Sequence, residues 1–366
     1  MSEFPPASRM QQMLSQSFGR SLLSLLVSIG LVIAAVFSNP LLYANAGLAL
    51  GFAYYMGRGA SAEDEVEGSD LEGKTVVVTG ANTGIGFETA AKLALRGAHV
   101  VLACRNVEKG EAAAGRINAA VEEEGEGREV EGGKASFVRL DLGDLESVME
   151  CVDFVAREVG EVDILVCNAG IMFPPFATTA QGFESTWGVN HLGHFTLVTH
   201  LLPSMAPQGR VVVLSSSAHT MSDSPFPQSA AEYARTTSYG ASKLSNLLFT
   251  RSLQAKLVET GSEITVYAVH PGVVSTELLR HVSILEAISA PFRFITCQTP
   301  EMGAQTSLFC ALSPDARPGE YHADCAPCSS SAAGSDMDLA DQLWAFSLDA
   351  LIQSGIPLPP PPCSSN

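Results

Sequence analysis

From Lys74 onward, short β-branched runs alternate with stretches whose apolar residues recur every three or four positions. The runs are Thr75-Val76-Val77-Val78, Val100-Val101-Leu102, Ser136-Phe137-Val138, Ile164-Leu165-Val166, Val211-Val212-Val213-Leu214 and Ile264-Thr265-Val266-Tyr267. Unbroken apolar runs, as opposed to apolar and polar residues in alternation, indicate strands buried on both faces. Strands separated by helices pair in parallel, and the helices cover both faces of the sheet. The expected fold is α/β, a doubly wound parallel sheet in a single domain over residues 74–356, with no shorter internal repeat. A last helical stretch over residues 337–352 puts Leu339, Leu343, Phe346 and Leu351 on one stripe and reads as a lid or packing helix of a C-terminal tail. Residues 357–366, which open almost entirely in proline, read as an extended, disordered terminus.

Ahead of this domain lie two uncharged apolar runs, residues 21–37 and 41–56, with Ser38-Asn39-Pro40 between them. Each is shorter than the roughly 20 residues a spanning helix needs. Residues 1–56 are therefore expected to attach to a membrane as an anchor, a re-entrant hairpin or a monotopic insertion, or to be a cleaved targeting sequence. Residues 57–73, rich in Gly, Ser and acid, read as a linker. The formal net charge of −18 argues against a nucleic-acid surface, which needs clustered Lys and Arg. Much of the acid falls in residues 63–72 and 122–131, both read as solvated loops. The 8 cysteines lack the spacing of a disulfide scaffold, which favours a reducing compartment, and Cys325-x-x-Cys328 has no second pair to complete a zinc site.

Thr79-Gly80-Ala81-Asn82-Thr83-Gly84-Ile85-Gly86 follows the first strand directly and opens a helix. Gly80 permits a tight turn, Gly84 lets backbone approach a pyrophosphate, and Gly86 allows the helix to pack closely on the sheet, while the helix amino end offers N–H donors. This is a nucleotide-phosphate turn in a Rossmann-type sheet. At the end of the second strand an NAD site would carry a carboxylate for the ribose hydroxyl, but the strand ends Ala103-Cys104-Arg105-Asn106. Arg105 is placed to pair with a 2′-phosphate, which favours NADP(H). Asp141 and Leu142, after the third strand, are expected beside the adenine, and Asn168-Ala169-Gly170, after the fourth, brings small residues where backbone must approach a ligand.

Tyr239-Gly240-Ala241-Ser242-Lys243 sets a phenol and an amine four positions apart on a stretch that Leu244, Leu247, Leu248 and Leu253 mark as helical, so both share one face. A free tyrosine titrates near about 10, and a neighbouring ammonium is expected to favour its phenolate.

Taken in order, T-G-x-x-x-G-x-G, N-A-G, a serine after the fifth strand, Y-x-x-x-K and Pro271-Gly272 resemble the short-chain dehydrogenase/reductase family over residues 74–356. Within it, Ala103-Cys104-Arg105-Asn106, Asn190-His191-Leu192-Gly193-His194-Phe195, His270-Pro271-Gly272, Gly303-Ala304-Gln305-Thr306-Ser307, Leu343-Trp344 and the apolar amino-terminal segment are similar to the retinol dehydrogenase branch. The resemblance implies that Tyr239 is the general acid or base and that Lys243 lowers its pKa and holds the nicotinamide ribose. It further implies that Ser216, with Ser215 and Ser217 as register alternatives, bonds the reacting oxygen, and that Asn190 holds a water leading to Lys243. Pro271, Gly272, Val274 and Thr276 would close over the nicotinamide. The acidic insertion 121–133 and the proline terminus depart from the branch.

The implied function is an NADP(H)-dependent interconversion of a lipophilic alcohol and its aldehyde or ketone, with retinoids the implied class and a steroid, lipid aldehyde or pigment precursor the alternatives. A scaffold that senses NADP(H) without turnover is the rival of another class. The expected place is the membrane of the endoplasmic reticulum or of another organelle, plastid and mitochondrion included. No metal is expected, since His191 and His194 lack a third ligand and read as residues that cap or pack the Asn190 helix. His219 is either a substrate contact or a loop histidine. Leu279, Val282, Ile284, Leu285, Ile288, Phe292 and Phe294 make residues 278–299 a greasy lid for a lipophilic substrate, core, or a homodimer surface.

Overall fold

Strand β1 (Thr75–Thr79) lies at the middle of the fold with every residue after its first buried. Around it the computed structural model describes residues 61–125, 133–272, 274 and 298–361. Thr276, most of the apolar 278–299 segment, the amino-terminal runs and residues 362–366 lie outside the described residues. The other strands are β2 (His99–Cys104), β3 (Lys134–Arg139), β4 (Val162–Cys167), β5 (Met205–Leu214), β6 (Thr265–His270), β7 (Tyr321–Ala323) and β8 (Ala326–Cys328). They form an 8-stranded sheet in the order β3-β2-β1-β4-β5-β6-β7-β8. Each neighbouring pair is parallel except β7 with β8.

Alternate residues of one strand serve two different cores. Val77, Val101, Leu165 and Val211 point to a core shared with Trp187, Phe195 and Leu244, whereas Val76, Val78, Val100 and Ile164 point to a core shared with Ile85, Ile117 and Leu308. At about 25 cal/mol per Å² of apolar surface removed from water, each such valine contributes about 1.5 kcal/mol or more, which is why the runs lack charged residues on either face.

The helices that close these cores are α1 (Glu63–Gly68), α2 (Gly84–Ala94), α3 (Val107–Gly125), α4 (Leu145–Phe154), α5, α6 (Arg235–Glu259), α7 (Pro300–Leu312) and α8 (Met337–Gln353). Helix α5 starts at Ser185–Trp187, passes through a π-turn at Gly188–Leu192 and continues as Gly193–Leu201. Side-chain caps fix several starts: Asp144 accepts from Glu146 N–H at 3.2 Å, Thr299 from Met302 N–H at 3.2 Å and Asp336 from Leu339 N–H at 3.0 Å.

Three local expectations are corrected. The acidic residues after 62 are not a solvated loop but helix α1, with Ala62, Val66 and Leu71 buried in the second core. Its Glu63, Asp64 and Glu65 occupy the first turn, where acid complements the helix dipole, and Ala62 N–H is held by Gln305 Oε1 at 2.8 Å. Glu122, Glu123 and Glu124 are likewise helical, at the end of α3. Strands β7 and β8 were not expected, because three residues carry too little periodicity to read. Helix α8 is a packing helix whose buried stripe is Ala340, Leu343, Ser347, Ala350 and Leu351, while Phe346 is more than a third exposed. Residues 357–361 have no regular structure, and the Pro357 carbonyl accepts from His200 Nε2 at 3.1 Å.

Candidate active site

The strand order reverses at β1 and β4, and in open parallel sheets the carboxyl ends of such strands border a crevice. Here that crevice is a cavity of about 430 Å³. Its wall includes Gly80, Asn82, Thr83, Gly84 and Ile85 from the glycine turn, and Arg105 and Asn106 from the end of β2. Asp141, Leu142, Asn168, Ala169, Gly170, Tyr239, Lys243 and Pro271 complete the set of anticipated residues that line it. Gly86, Asn190, Ser216, Gly272 and Val274 are not among the lining residues.

The turn has the form a phosphate requires. Gly80 and Gly84 take φ of +65° and +61°, left-handed values that a side chain would strain. A Cβ on Gly80 would lie 2.9 Å from Ala169 Cα, and one on Gly86 would lie 2.7 Å from the Gly80 carbonyl oxygen and against Asn168 Nδ2. Thr83, the residue before α2, makes no side-chain cap, so the first-turn N–H groups of an 11-residue helix face the cavity uncapped. Asn168 Nδ2 donates to the Thr79 carbonyl at 2.8 Å and ties the turn to β4. At the other end Asn106 Oδ1 caps α3 by accepting from Lys109 N–H at 2.8 Å. The cavity has room for a dinucleotide, and the residues present fit one: backbone donors at the start of α2 would take its pyrophosphate, and Arg105 would meet its adenosine end.

At the chemical end Tyr239 and Lys243 occupy successive turns of α6 and are both buried, at 8% and 5% exposure. Lys243 Nζ donates to the Leu214 carbonyl at 2.9 Å and lies 5.7 Å from the Tyr239 ring centroid. Burial pushes the phenol up to about 12, partly offset by a hydrogen bond with the Ser216 side chain, and burial brings the Lys243 amine down to about 8. In the chain by itself, then, the phenol rises through burial where a fall was expected, and the Ser216 bond alone opposes that rise. The three serines separate cleanly. Ser215 Oγ donates to the Lys243 carbonyl at 2.7 Å inside the fold, Ser217 is exposed, and Ser216 is the one that reaches the phenol.

Asn190 lies in the π-turn of α5, fully buried. Its Oδ1 accepts from Ile171 N–H at 2.8 Å, and its Nδ2 donates to the Ile171 carbonyl at 3.0 Å and to Ser242 Oγ at 2.9 Å. Both Nδ2 protons are thereby used, and the side chain clamps the loop after β4 to the helix of Tyr239. His194 extends this clamp. Its Nδ1 donates to the Asn190 carbonyl at 3.0 Å, so its Nε2 must accept from the Thr79 hydroxyl at 2.9 Å, and Thr79 Oγ1 in turn accepts from Ala169 N–H at 2.9 Å. Burial brings His194 down to about 4, which keeps this neutral tautomer. His191 donates to Ser347 Oγ at 3.0 Å and pins α8. Both histidines therefore pack the Asn190 helix.

Other residues at the site were not anticipated. Lys109, one helical turn after Arg105, also lines the cavity, and its spacing was the available signal. Phe173 adopts φ +56°, unusual for a bulky residue, and sets its ring edge-on to Tyr239 at 5.4 Å. The Tyr233 phenol holds this loop by donating to the Pro174 carbonyl at 2.7 Å, and its ring meets Phe176 at 5.3 Å.

A nucleotide cradle joined to a buried tyrosine–lysine pair defines a dehydrogenase, and the comparisons agree. The family model for short chain dehydrogenase matches residues 74–284, and the chain belongs to that family of oxidoreductases, which use NAD(H) or NADP(H). It is similar to retinol dehydrogenase 12 of Homo sapiens, 43% identical over 290 residues that cover 77% of this chain and 87% of that one. It is also similar to short-chain dehydrogenase TIC 32 A, chloroplastic, of Brassica napus, 35% identical with 80% and 93% covered. Among solved structures, an uncharacterised protein from Mycobacterium paratuberculosis aligns with TM-score 0.62 and 34% identity, over 80% of this chain and 97% of that one.

Gly86→Ala tests the cradle. Overpacking of this kind costs about 1–3 kcal/mol. The melting temperature should fall by about 5 °C, and nicotinamide nucleotide binding, followed by fluorescence titration, should weaken because Asn168 must move; a variant that melts and binds like the parent would remove Gly86 from the cradle.

Proposed function

We propose that this chain is an NADP(H)-dependent oxidoreductase that interconverts a lipophilic alcohol and its aldehyde or ketone, with retinol and retinal as the leading pair. The observation that carries the reading is that the Tyr239 phenol and the Lys243 amine line one end of the dinucleotide-sized cavity, with the Ser216 hydroxyl bonded to the phenol. The nicotinamide nucleotide supplies or accepts the hydride when bound. Tyr239 gives its proton to the carbonyl oxygen in reduction and takes it back in oxidation, and Ser216 holds that oxygen by a hydrogen bond. Lys243, anchored on the Leu214 carbonyl, is placed to hold the ribose. Asn190 and His194 keep the loop after β4 at its distance from α6, which fixes the reacting geometry. Arg105 and Lys109 at the adenosine end support NADP(H), because a 2′-phosphate needs charge-assisted donors there. A complete proton-transfer set also speaks against a non-catalytic sensor, which would have no use for it.

Phe173, Phe176 and Tyr233 give the substrate side an aromatic wall suited to an elongated apolar molecule. Retinoid specificity is supported by the likeness to retinol dehydrogenase 12. A second reading, another lipophilic carbonyl in a plastid, is favoured by the likeness to a relative named as chloroplastic. Membrane attachment rests on the apolar runs of residues 1–56; among the described residues no helix is long and apolar enough to cross a membrane. We place the protein at an organelle membrane, and a homodimer is part of the same proposal.

The test is turnover by purified full-length protein in detergent, with NADPH or NADH, against all-trans-retinal, a steroid ketone, and short and long aliphatic aldehydes. Retinal should be reduced fastest, and with NADPH. Protein that binds NADPH but reduces none of these carbonyls would overturn the proposal.

A further inference from the structure

The peptide unit between Ser216 and Ser217 is gripped at both of its polar ends by histidine. His219 Nδ1 lies 2.7 Å from the Ser216 carbonyl oxygen, and His219 Nε2 accepts from Ser331 N–H at 3.0 Å. A backbone N–H can only donate, so Nε2 bears the lone pair and Nδ1–H donates to the carbonyl. From the other side His270 Nδ1 accepts from Ser217 N–H at 3.3 Å, which puts the His270 proton on Nε2. The two rings come from different places. His219 follows the serines on the short turn Ser217–Met221 and is 2% exposed, with the Tyr321 ring packed on it at 5.0 Å, whereas His270 ends β6 immediately before Pro271. Burial lowers the pKa of both, His270 to about 4, against the opposing pull of Asp324 on His270, and Arg251 lowers His219 further. Both rings therefore remain neutral donors or acceptors at neutral pH.

Holding one peptide plane by its C=O and its N–H fixes the ψ of Ser216 and the φ of Ser217 together. The Ser216 backbone is extended, φ −170° and ψ 157°, and its Oγ is already shared with Ala218 N–H at 3.2 Å and with the Tyr239 phenol. A rotation of that plane would break the bond from His219 N–H to the Ser216 carbonyl at 3.0 Å, and with it the turn Ser217–Met221 that presents Ala218 N–H to the Ser216 hydroxyl. We propose that His219 and His270 are positioning residues that aim the Ser216 hydroxyl at the reacting oxygen, and that Ser331, through His219, makes the segment before α8 part of that aim. The proposal rests on the reading of Ser216 given above.

The experiment uses full-length protein and measures kcat and KM for the best carbonyl substrate, NADPH affinity by fluorescence, and melting temperature, for Ser216→Ala and for His219 and His270 variants. His219→Ala and His270→Ala should each lower kcat about 10-fold, the worth of one well-placed hydrogen bond, with NADPH affinity unchanged. His219→Asn can still donate to the Ser216 carbonyl and should recover most of that loss, as should His270→Asn, whose amide oxygen can accept from Ser217 N–H. His219→Gln can reach Ser331 but not the carbonyl, so it should remain folded and be as slow as His219→Ala. In a Ser216→Ala background the histidine substitutions should cost almost nothing more in kcat. Histidine variants that melt earlier but keep kcat, a His219→Gln that is as fast as His219→Asn, or losses that simply multiply with that of Ser216→Ala would each overturn the proposal. If Ser216→Ala itself turns over normally, the reading of Ser216 fails instead, and the two failures are told apart.

Discussion

Tyr239→Phe is expected to lower kcat for carbonyl reduction by about 1000-fold, within the range a positioned general acid contributes, while NADPH affinity stays close to that of the parent. The substitution removes one oxygen and keeps the ring, so the edge-on packing against Phe173 and the burial in α6 survive. The loss is therefore chemical, not structural. Single-turnover rates with bound NADPH measure it, and retained turnover would take Tyr239 out of the mechanism. The direction of the pKa shifts adds a pH signature. With the phenol up at about 12 and the Lys243 amine down at about 8, Tyr239 holds its proton throughout the neutral range. Reduction, which needs that proton, should be nearly flat from pH 6 to 8. Oxidation, which needs it gone, should rise with pH until Lys243 loses its charge and no longer favours the phenolate.

Arg105→Asp is expected to cost about 100-fold in kcat/KM for NADPH, the worth of one or two charge-assisted hydrogen bonds at about 1.5–3 kcal/mol each, and to improve NADH, since a carboxylate at the end of β2 can bond a ribose hydroxyl. Lys109→Glu should act in the same direction with a smaller effect, because Lys109 reaches the cavity from the first turn of α3 while Arg105 extends directly from β2. Steady-state kinetics with both nucleotides decide the matter. An unchanged NADPH to NADH preference in the Arg105 variant would remove the 2′-phosphate assignment.

The parts of this molecule that were readable from its letters are those whose cause is local. The valine runs had to be strands buried on both faces, and β1, β2, β4 and β5 lie where the runs lie. The glycine turn was readable because each glycine answers a steric demand within a few residues. What was not readable depends on contacts between distant segments. Helix α1 owes its position to Gln305, some 240 residues away, and nothing in its acidic composition announces that partner. The rise of the Tyr239 phenol follows from burial, which spacing along a helix does not reveal. The side-chain bonds of Asn190 to Ile171 and Ser242 join three elements and have no signature in any one of them. Phenylalanine is not a residue type that suggests a left-handed backbone, and the bonds that hold the loop of Phe173, from Tyr233 to Pro174 and between Asn190 and Ile171, come from distant segments.

The chain of contacts from Ala169 through Thr79 and His194 to Asn190 has a consequence for how this enzyme can be re-engineered. Its members meet the cavity wall at Ala169 and the helix of Tyr239 and Lys243 through Asn190, and each passes a hydrogen bond to the next. The glycine turn and the helix of Tyr239 are thus not separate dials. A designer who alters Thr79 to reshape the phosphate turn inherits a fault at Asn190, and compensating changes would have to be selected in pairs.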